Sequence, residues 1–481
     1  MRRLAALLVL LLPVRAVRAQ EAPRDSVSSF AEGRGVLAPL TRLAHQRLEE
    51  CSGLLHLGGA WWAHNDSGDG PFLFRSDNLE FSPAERLAVP GAKAVDWEDI
   101  AALDGDLLAC DVGDNERKRD DITLYRVRCK ANPDQTHKLE LAATYPVRYP
   151  DQAHDCEAVT VIGGKVHLVT KDRTQSGVTR VFRLGELKDG QANTLEAAGT
   201  LDLPAGTMIT GADCSAEGKV VLLSYTRLFV YAADKFSGAP EFSCRIDAQQ
   251  CEAVALQGNR LVFANEQREV FAVNDFFARK PSALMPAPVA VTLPIEEASY
   301  EPDGTGAAWK GGAAVLALRN LAEGEYLRWM LAGPRLMVAG RLCYEGGFVS
   351  SSEKGARLGS GLLLMFGRED ADNLTGSEVH VLLGDNGITG LDAWTLSLAP
   401  KLALKPLGGL KAAGKVEGGV MQFEVSLPAD TVLGAGKLPE TFRFNVWGRN
   451  LHGELEVSLA GSSFVTATRP YTWATATLKT K

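Results

Sequence analysis

The sequence predicts an all-β protein, a five-bladed β-propeller followed by a jelly-roll-like β-sandwich. Three observations predict it. The first half repeats one pattern of short apolar strands five times, Gly or Asp marks most turns between them, and no helical periodicity of useful length interrupts them. The repeat begins at Cys51-Ser52-Gly53-Leu54, Trp97-Glu98-Asp99-Ile100, Cys156-Glu157-Ala158-Val159, Ala212-Asp213-Cys214-Ser215 and Cys251-Glu252-Ala253-Val254. A second strand follows each time, at Ala60 to Asn65, Asp106 to Asp111, Lys165 to Lys171, Lys219 to Tyr225 and Arg260 to Asn265. Third strands are expected at Phe72 to Phe74, Ile122 to Val127, Thr179 to Leu184, Leu228 to Tyr231 and Glu269 to Val273.

Units of roughly 40 to 60 residues, each a meander of short strands, are the mark of propeller blades. Outer strands are visible at Lys138 to Val147 and Thr194 to Leu203, whereas the fifth unit lacks one. The segment Gly35 to Leu43 is a spare strand ahead of the first unit, and pairing it with the fifth would remove two open sheet edges. Pro288 to Leu293 is the place where a sixth, degenerate blade would fit.

The chain ends and composition limit what it does. Arg2 and Arg3, an apolar run from Leu4 to Leu12 and a small residue at Ala19 read as a secretory signal over residues 1–19, so a secreted or periplasmic protein is expected. No later run approaches the ~20 apolar residues of a spanning helix. The net charge is −8 with no basic run, which excludes nucleic acid as an expected partner. Eight cysteines in an exported chain invite disulfides. Cys51, Cys156 and Cys251, however, hold equivalent places where a small buried residue fits, so free thiols are expected.

In a propeller the repeat start and the loop between second and third strands reach the same face. Glu98, Glu157, Asp213 and Glu252 should therefore converge, with Asp96 and Asp155 two residues ahead of two of them. The loops bring Asn65, Asp66, Asp69, Asp114, Asn115, Arg117, Lys171, Arg227 and Arg268, with His64 and His154 flanking. Carboxylates crowded round an axis repel, so something balances them. Three answers stand: an internal ion-pair ring in which Lys171, Arg227 and Arg268 compensate the acids, a hard cation such as calcium held by Glu98, Glu157, Asp213 and Glu252, or catalysis by two acids in unlike environments. Asn65 to Gly70 partly imitates a calcium loop, but its twelfth position is Ser76, and a tight turn is the expected role. Each histidine is expected to be structural.

Several motifs together resemble an uncharacterised family of secreted bacterial propeller proteins: His64-Asn65-Asp66-Ser67-Gly68-Asp69, Asp96 to Ala101, Asp111-Val112-Gly113-Asp114-Asn115, Tyr149-Pro150-Asp151 and His154 to Ala158. The match covers about residues 34–280 and implies the fold without an activity.

Beyond the Pro281, Pro286 and Pro288 linker, strands are expected at Ala314 to Leu318, Arg335 to Leu342, Leu362 to Phe366, Glu378 to Leu383, Met421 to Leu427, Phe442 to Trp447 and Trp473 to Leu478. Pro302-Asp303-Gly304 through Trp309, Leu336 to Arg341, Ser377 to Val379, Phe423 to Pro428, Phe442 to Val446 and Tyr471 to Thr475 follow an order similar to carbohydrate-binding module family nine. That resemblance implies a glycan or cell-surface ligand, with Trp394 and Trp447 as stacking candidates. The expected organisation is a propeller over 34–285 and a sandwich over 295–481. The expected function is a secreted binding protein with an acidic, cation-bearing face, and the alternative is an extracellular glycoside or ester hydrolase using paired carboxylates.

Overall fold

The computed structural model describes residues 23–481 except 173–177, 205–206, 226, 249, 286–289, 297–300, 304–313, 317–324, 344–360, 368–374, 385–386, 398–402, 419, 434–440, 453–454, 459–473 and 480–481. Its first half consists of five antiparallel meanders. Their inner strands are Cys51–Leu57, Trp97–Leu103, Cys156–Ile162, Ile209–Cys214 and Cys251–Gln257. These neighbour one another in cyclic order, the last lying beside the first. Apolar clusters fill every gap between consecutive sheets, including the closing one, where Leu54, Trp61 and Phe74 meet Val262, Ala264 and Val270. Sheets covered on both faces need strands apolar on both faces. Ala60–Asn65, buried at every position, shows the result.

The ring closes through the N-terminal segment, as expected, but over a shorter stretch. Thr41–Arg42 supplies the outer strand of the fifth sheet, pairing with Glu269 and Val270. Arg34–Leu37 goes elsewhere: it joins the fourth sheet through Ala283–Leu284, which lies in parallel between it and Phe242–Ile246. Residues on either side of Ala38 to Leu40 thus serve two different sheets.

The second half is a β-sandwich whose two sheets share one strand. Ala290–Glu296 pairs with Ala474–Lys479 along its first part and with Tyr326–Ala332 along its last two residues. The candidate sixth blade at Pro288 to Leu293 is therefore corrected: its described residues, Ala290 to Leu293, are the start of this sandwich strand. Trp329 is fully buried between the sheets, with ring centroids 5.7 Å from Phe366 and 5.2 Å from Phe444. The expected strands are present, together with Gly387–Ser397 and Lys411–Glu417, whose small and charged residues hid them. Among the described residues no helix is long and apolar enough to cross a membrane. Among the cysteines whose side chains are described, Cys51, Cys110, Cys129, Cys156, Cys214 and Cys244 carry free thiols. Cys51 and Cys156 donate their thiol hydrogens to the Gly53 and Ala158 carbonyl oxygens, at 3.6 and 3.5 Å.

Candidate functional site

One irregularity, repeated five times, builds the site. Each inner strand carries a bulge at the same place, between Cys51 and Gly53, Trp97 and Asp99, Cys156 and Ala158, Ile209 and Gly211, and Cys251 and Ala253. A bulge leaves its extra residue outside the ladder. The five such residues are Ser52, Glu98, Glu157, Thr210 and Glu252, which places three carboxylates and two hydroxyls at one end of the inner strands. Both hydroxyls fasten their strand to the next sheet: Ser52 Oγ donates to the Glu98 carbonyl at 2.8 Å and Thr210 Oγ1 to the Cys251 carbonyl at 2.7 Å.

Asp213 is not among them, which corrects the expected set. The fourth repeat starts three residues earlier than the sequence alignment placed it, at Ile209, so Thr210 takes the position assigned to Asp213. Asp213 is instead a buried strut whose carboxylate accepts from the Leu256 and Cys214 backbone N–H groups, both at 2.7 Å. Asp99 plays a similar part on a larger scale, accepting from Ile100, Val159 and Ala212 at 2.8, 2.8 and 3.2 Å. It joins three consecutive sheets.

Asp66, Asp96 and Glu98 converge, with a carboxylate oxygen of each within 4.8 Å of the others. Asp66 follows the strand end, where its N–H donates to the Glu50 carbonyl at 2.9 Å. Asp96 is held by Asp111 Oδ1, which accepts from its backbone N–H at 2.9 Å and pairs with Arg119 Nη1 at 2.9 Å. Gly113 forms the wall: a Cβ there would lie 2.2 Å from Glu98 Oε1 and 2.5 Å from Asp96 Oδ2. Burial, then Glu157, Asp66 and Asp96, raises the Glu98 carboxyl well above its usual range. Burial and the Asp66 charge push Asp96 up to about 6.

Glu157 has a different partner. It pairs with the buried Lys171, whose ammonium also donates to Tyr225 Oη at 3.0 Å, and that hydroxyl donates to Glu252 Oε1 at 3.2 Å. Of the expected ion-pair ring, Lys171 fits. Arg268 does not: it donates to the Leu43 and His45 carbonyls at 2.9 and 2.7 Å and clamps the closing strand instead. Arg227 Nη1 donates to Ser243 Oγ at 3.3 Å. Of the expected cation ligands Glu98, Glu157, Asp213 and Glu252, Glu98 alone belongs to the group of carboxylates found within 4.8 Å of one another among the described residues, where its companions are Asp66 and Asp96.

Other expected site residues serve the loops. Asn65 accepts from the Glu50 N–H at 3.1 Å and donates to the Arg47 carbonyl at 2.6 Å. Asp69 pairs with Arg86 at 2.8 Å, whose guanidinium lies 3.3 Å over the Phe72 ring. Asp114 is buried: its N–H donates to Asp155 Oδ1 at 3.1 Å, and its own Oδ2 accepts from the Arg119 N–H at 2.8 Å. Asn115 and Arg117 are exposed at the rim. His154 contacts Asp151 at 3.0 Å and packs on Tyr149 and Phe182, while His64 is fully buried against Trp97. Trp394 and Trp447 stand in the Gly387–Ser397 and Thr441–His452 strands, but their side chains lie outside the described residues, as does Trp473. Sequence reasoning missed Arg119, two positions beyond the arginine it chose, and Gly113, whose value is its missing side chain.

The buried acids give stability a definite pH dependence. Burial pushes Glu252 up to about 8 and Asp213 up to about 7, so the folded chain holds these protons more tightly than the unfolded chain. Their stabilising contribution is complete below about pH 4 and is lost as pH rises through about 7 to 8. In the presence of chelator, raising the pH from about 5.5 to about 8.5 is expected to lower the contribution of these groups, and Glu252→Gln should flatten the melting profile over that window.

No protein-family model matches the chain, and no curated protein does. Solved structures are similar to parts of the chain. A carbohydrate-binding module family 9 protein from Caldicellulosiruptor kristjanssonii in complex with cellotriose matches 40% of this chain and 95% of its own, at 9% identity and TM-score 0.27. A calcium-binding regucalcin from Agrobacterium tumefaciens matches 48% and 92%, at 14% identity and TM-score 0.29. A gluconolactonase from Xanthomonas campestris matches 53% and 99%, at 11% identity and TM-score 0.29. These likenesses are too distant to transfer a residue or a ligand.

Proposed function

We propose that the chain is an exported binding protein whose propeller mouth holds a calcium ion on Asp66, Asp96 and Glu98 and whose sandwich takes a glycan. The convergence of those three carboxylates within 4.8 Å carries the reading. Oxygen donors alone suit a hard cation. Gly113 fits the same purpose, because any side chain there would fill the space between Asp96 and Glu98. Three protein carboxylates leave coordination positions for water or ligand hydroxyls, since calcium takes about 6 to 8 oxygens. Export rests on the charged, apolar and small residues that open the sequence, and the glycan on the order of motifs in the second half.

Calorimetric titration of calcium into chelator-stripped protein tests the mouth. One ion per chain is expected, with affinity at least about tenfold weaker in Glu98→Gln. Gly113→Ala should abolish binding by steric filling alone, because Gly113 does not use the left-handed backbone that only glycine tolerates well. Absence of heat, together with a melting temperature indifferent to calcium, would sink the idea.

Catalysis is a second reading, favoured by Glu252, whose carboxyl burial pushes up to about 8 so that it can donate a proton at neutral pH, and by Glu98, whose carboxyl burial raises well above its usual range. Turnover on polysaccharides or esters that disappears in Glu98→Gln or Glu252→Gln would establish it, and turnover indifferent to both would exclude these acids.

A further inference from the structure

A second site lies at the opposite end of the same strands. Where the Gly58-Gly59 and Asp104-Gly105 turns join inner to second strands, the first two sheets leave a cleft of about 410 Å³ between them. That volume falls within the ~300–1,000 Å³ of small-molecule sites. Its apolar side is formed by Leu57, the edge of Trp62 and the half-buried Cys129. Its polar side carries Arg75, Arg128, Lys130 and His137 against a single lining carboxylate, Asp106.

The charge here runs against the rest of the molecule. The chain carries a net −8, yet this wall presents three permanent cations and one acid; of the cations Arg75 is engaged by Asp77 at 3.2 Å and Glu85 at 3.6 Å, which leaves Arg128 and Lys130 to face a ligand. Asp106 is already shared, accepting from Arg126 Nε at 2.6 Å and from Arg128 Nε at 3.2 Å. Arg128 therefore engages the protein only through Nε, and its two terminal nitrogens make no hydrogen bond among the described residues. Glu85 fixes His137, accepting from its backbone N–H at 2.8 Å and contacting Nδ1 at 2.6 Å, which leaves Nε2 for a ligand. Lys130 pairs with Glu140 across exposed surface, where such pairs are weak and exchange readily with another anion. A guanidinium with two free donors beside an ammonium is suited to a carboxylate or phosphate.

We propose that this cleft binds a small organic anion, a carboxylate or phosphate monoester with a short apolar body, whose anionic head meets Arg128 and Lys130 while its body lies against Leu57 and Cys129. The site is independent of the mouth, so either one stands if the other fails.

Calorimetry on the full chain at low salt tests it with phenyl phosphate and phenylacetate as the two anionic probes, and with phenol and inorganic phosphate as the controls lacking charge or body. One of the anionic probes is expected to bind once per chain, at least about tenfold tighter than both controls, and the tighter of the two identifies the head group. Arg128→Glu with Lys130→Glu should weaken that binding at least about tenfold in a protein that still melts cooperatively, because the two side chains are 55% and 53% exposed. Binding that survives this charge reversal, inorganic phosphate binding as tightly as the esters, or no binding of either probe at millimolar concentration overturns the proposal.

Discussion

Asp99→Ala is expected to destabilise the protein more than any other single truncation of a polar side chain at the axis, by about 4 kcal/mol or more. The carboxylate is wholly buried and receives three backbone N–H groups from three consecutive sheets. Alanine would leave all three donors unpaired away from water, and each such orphan costs roughly 1–3 kcal/mol. Asparagine keeps one acceptor oxygen but turns a donor towards donors, so Asp99→Asn should fall between wild type and alanine. Chemical denaturation followed by intrinsic fluorescence measures both. A loss under about 1 kcal/mol for alanine would mean that Asp99 does not hold the sheets together.

Lys171→Met should have the second-largest effect, about 3–5 kcal/mol, because it removes the ammonium that pairs with the buried Glu157 carboxylate. The consequence extends further along the ring. Lys171 also restrains the carboxyls of Glu98, Glu252 and Glu266, so its removal drives all three towards the protonated form. Adding Glu157→Gln to Lys171→Met should recover much of the loss, since the neutral pair buries no charge. A double variant as unstable as the single one would show that packing of the lysine chain, and not its charge, matters here.

The blades were legible because their pattern is local. Apolar runs bounded by Gly and Asp turns report strands one at a time, and the regular return of Glu in Trp97-Glu98, Cys156-Glu157 and Cys251-Glu252 marked the inner positions. The fourth unit failed for a physical reason. Its bulge position is a threonine that bonds a backbone carbonyl, so it offers no acid to align, and Asp213 three residues on imitated one. The grouping of the carboxylates was hidden for a related reason. Glu98 finds its companions in Asp66 and Asp96, which belong to a turn and a strand entry, and only the folded arrangement decides that Glu157 turns to Lys171 instead. Ring closure was anticipated, but not the division of the N-terminal segment between two sheets. Pairing over only a few residues leaves no periodic trace in sequence.

Crystals soaked in a lanthanide, an oxygen-seeking stand-in for calcium, give the most direct reading of the mouth. The anomalous difference map should show its strongest peak within bonding distance of the Asp66, Asp96 and Glu98 carboxylates, and that peak should vanish in Gly113→Ala crystals. A map with no peak among those three side chains, at an ion concentration that labels other carboxylates on the surface, would contradict the assignment.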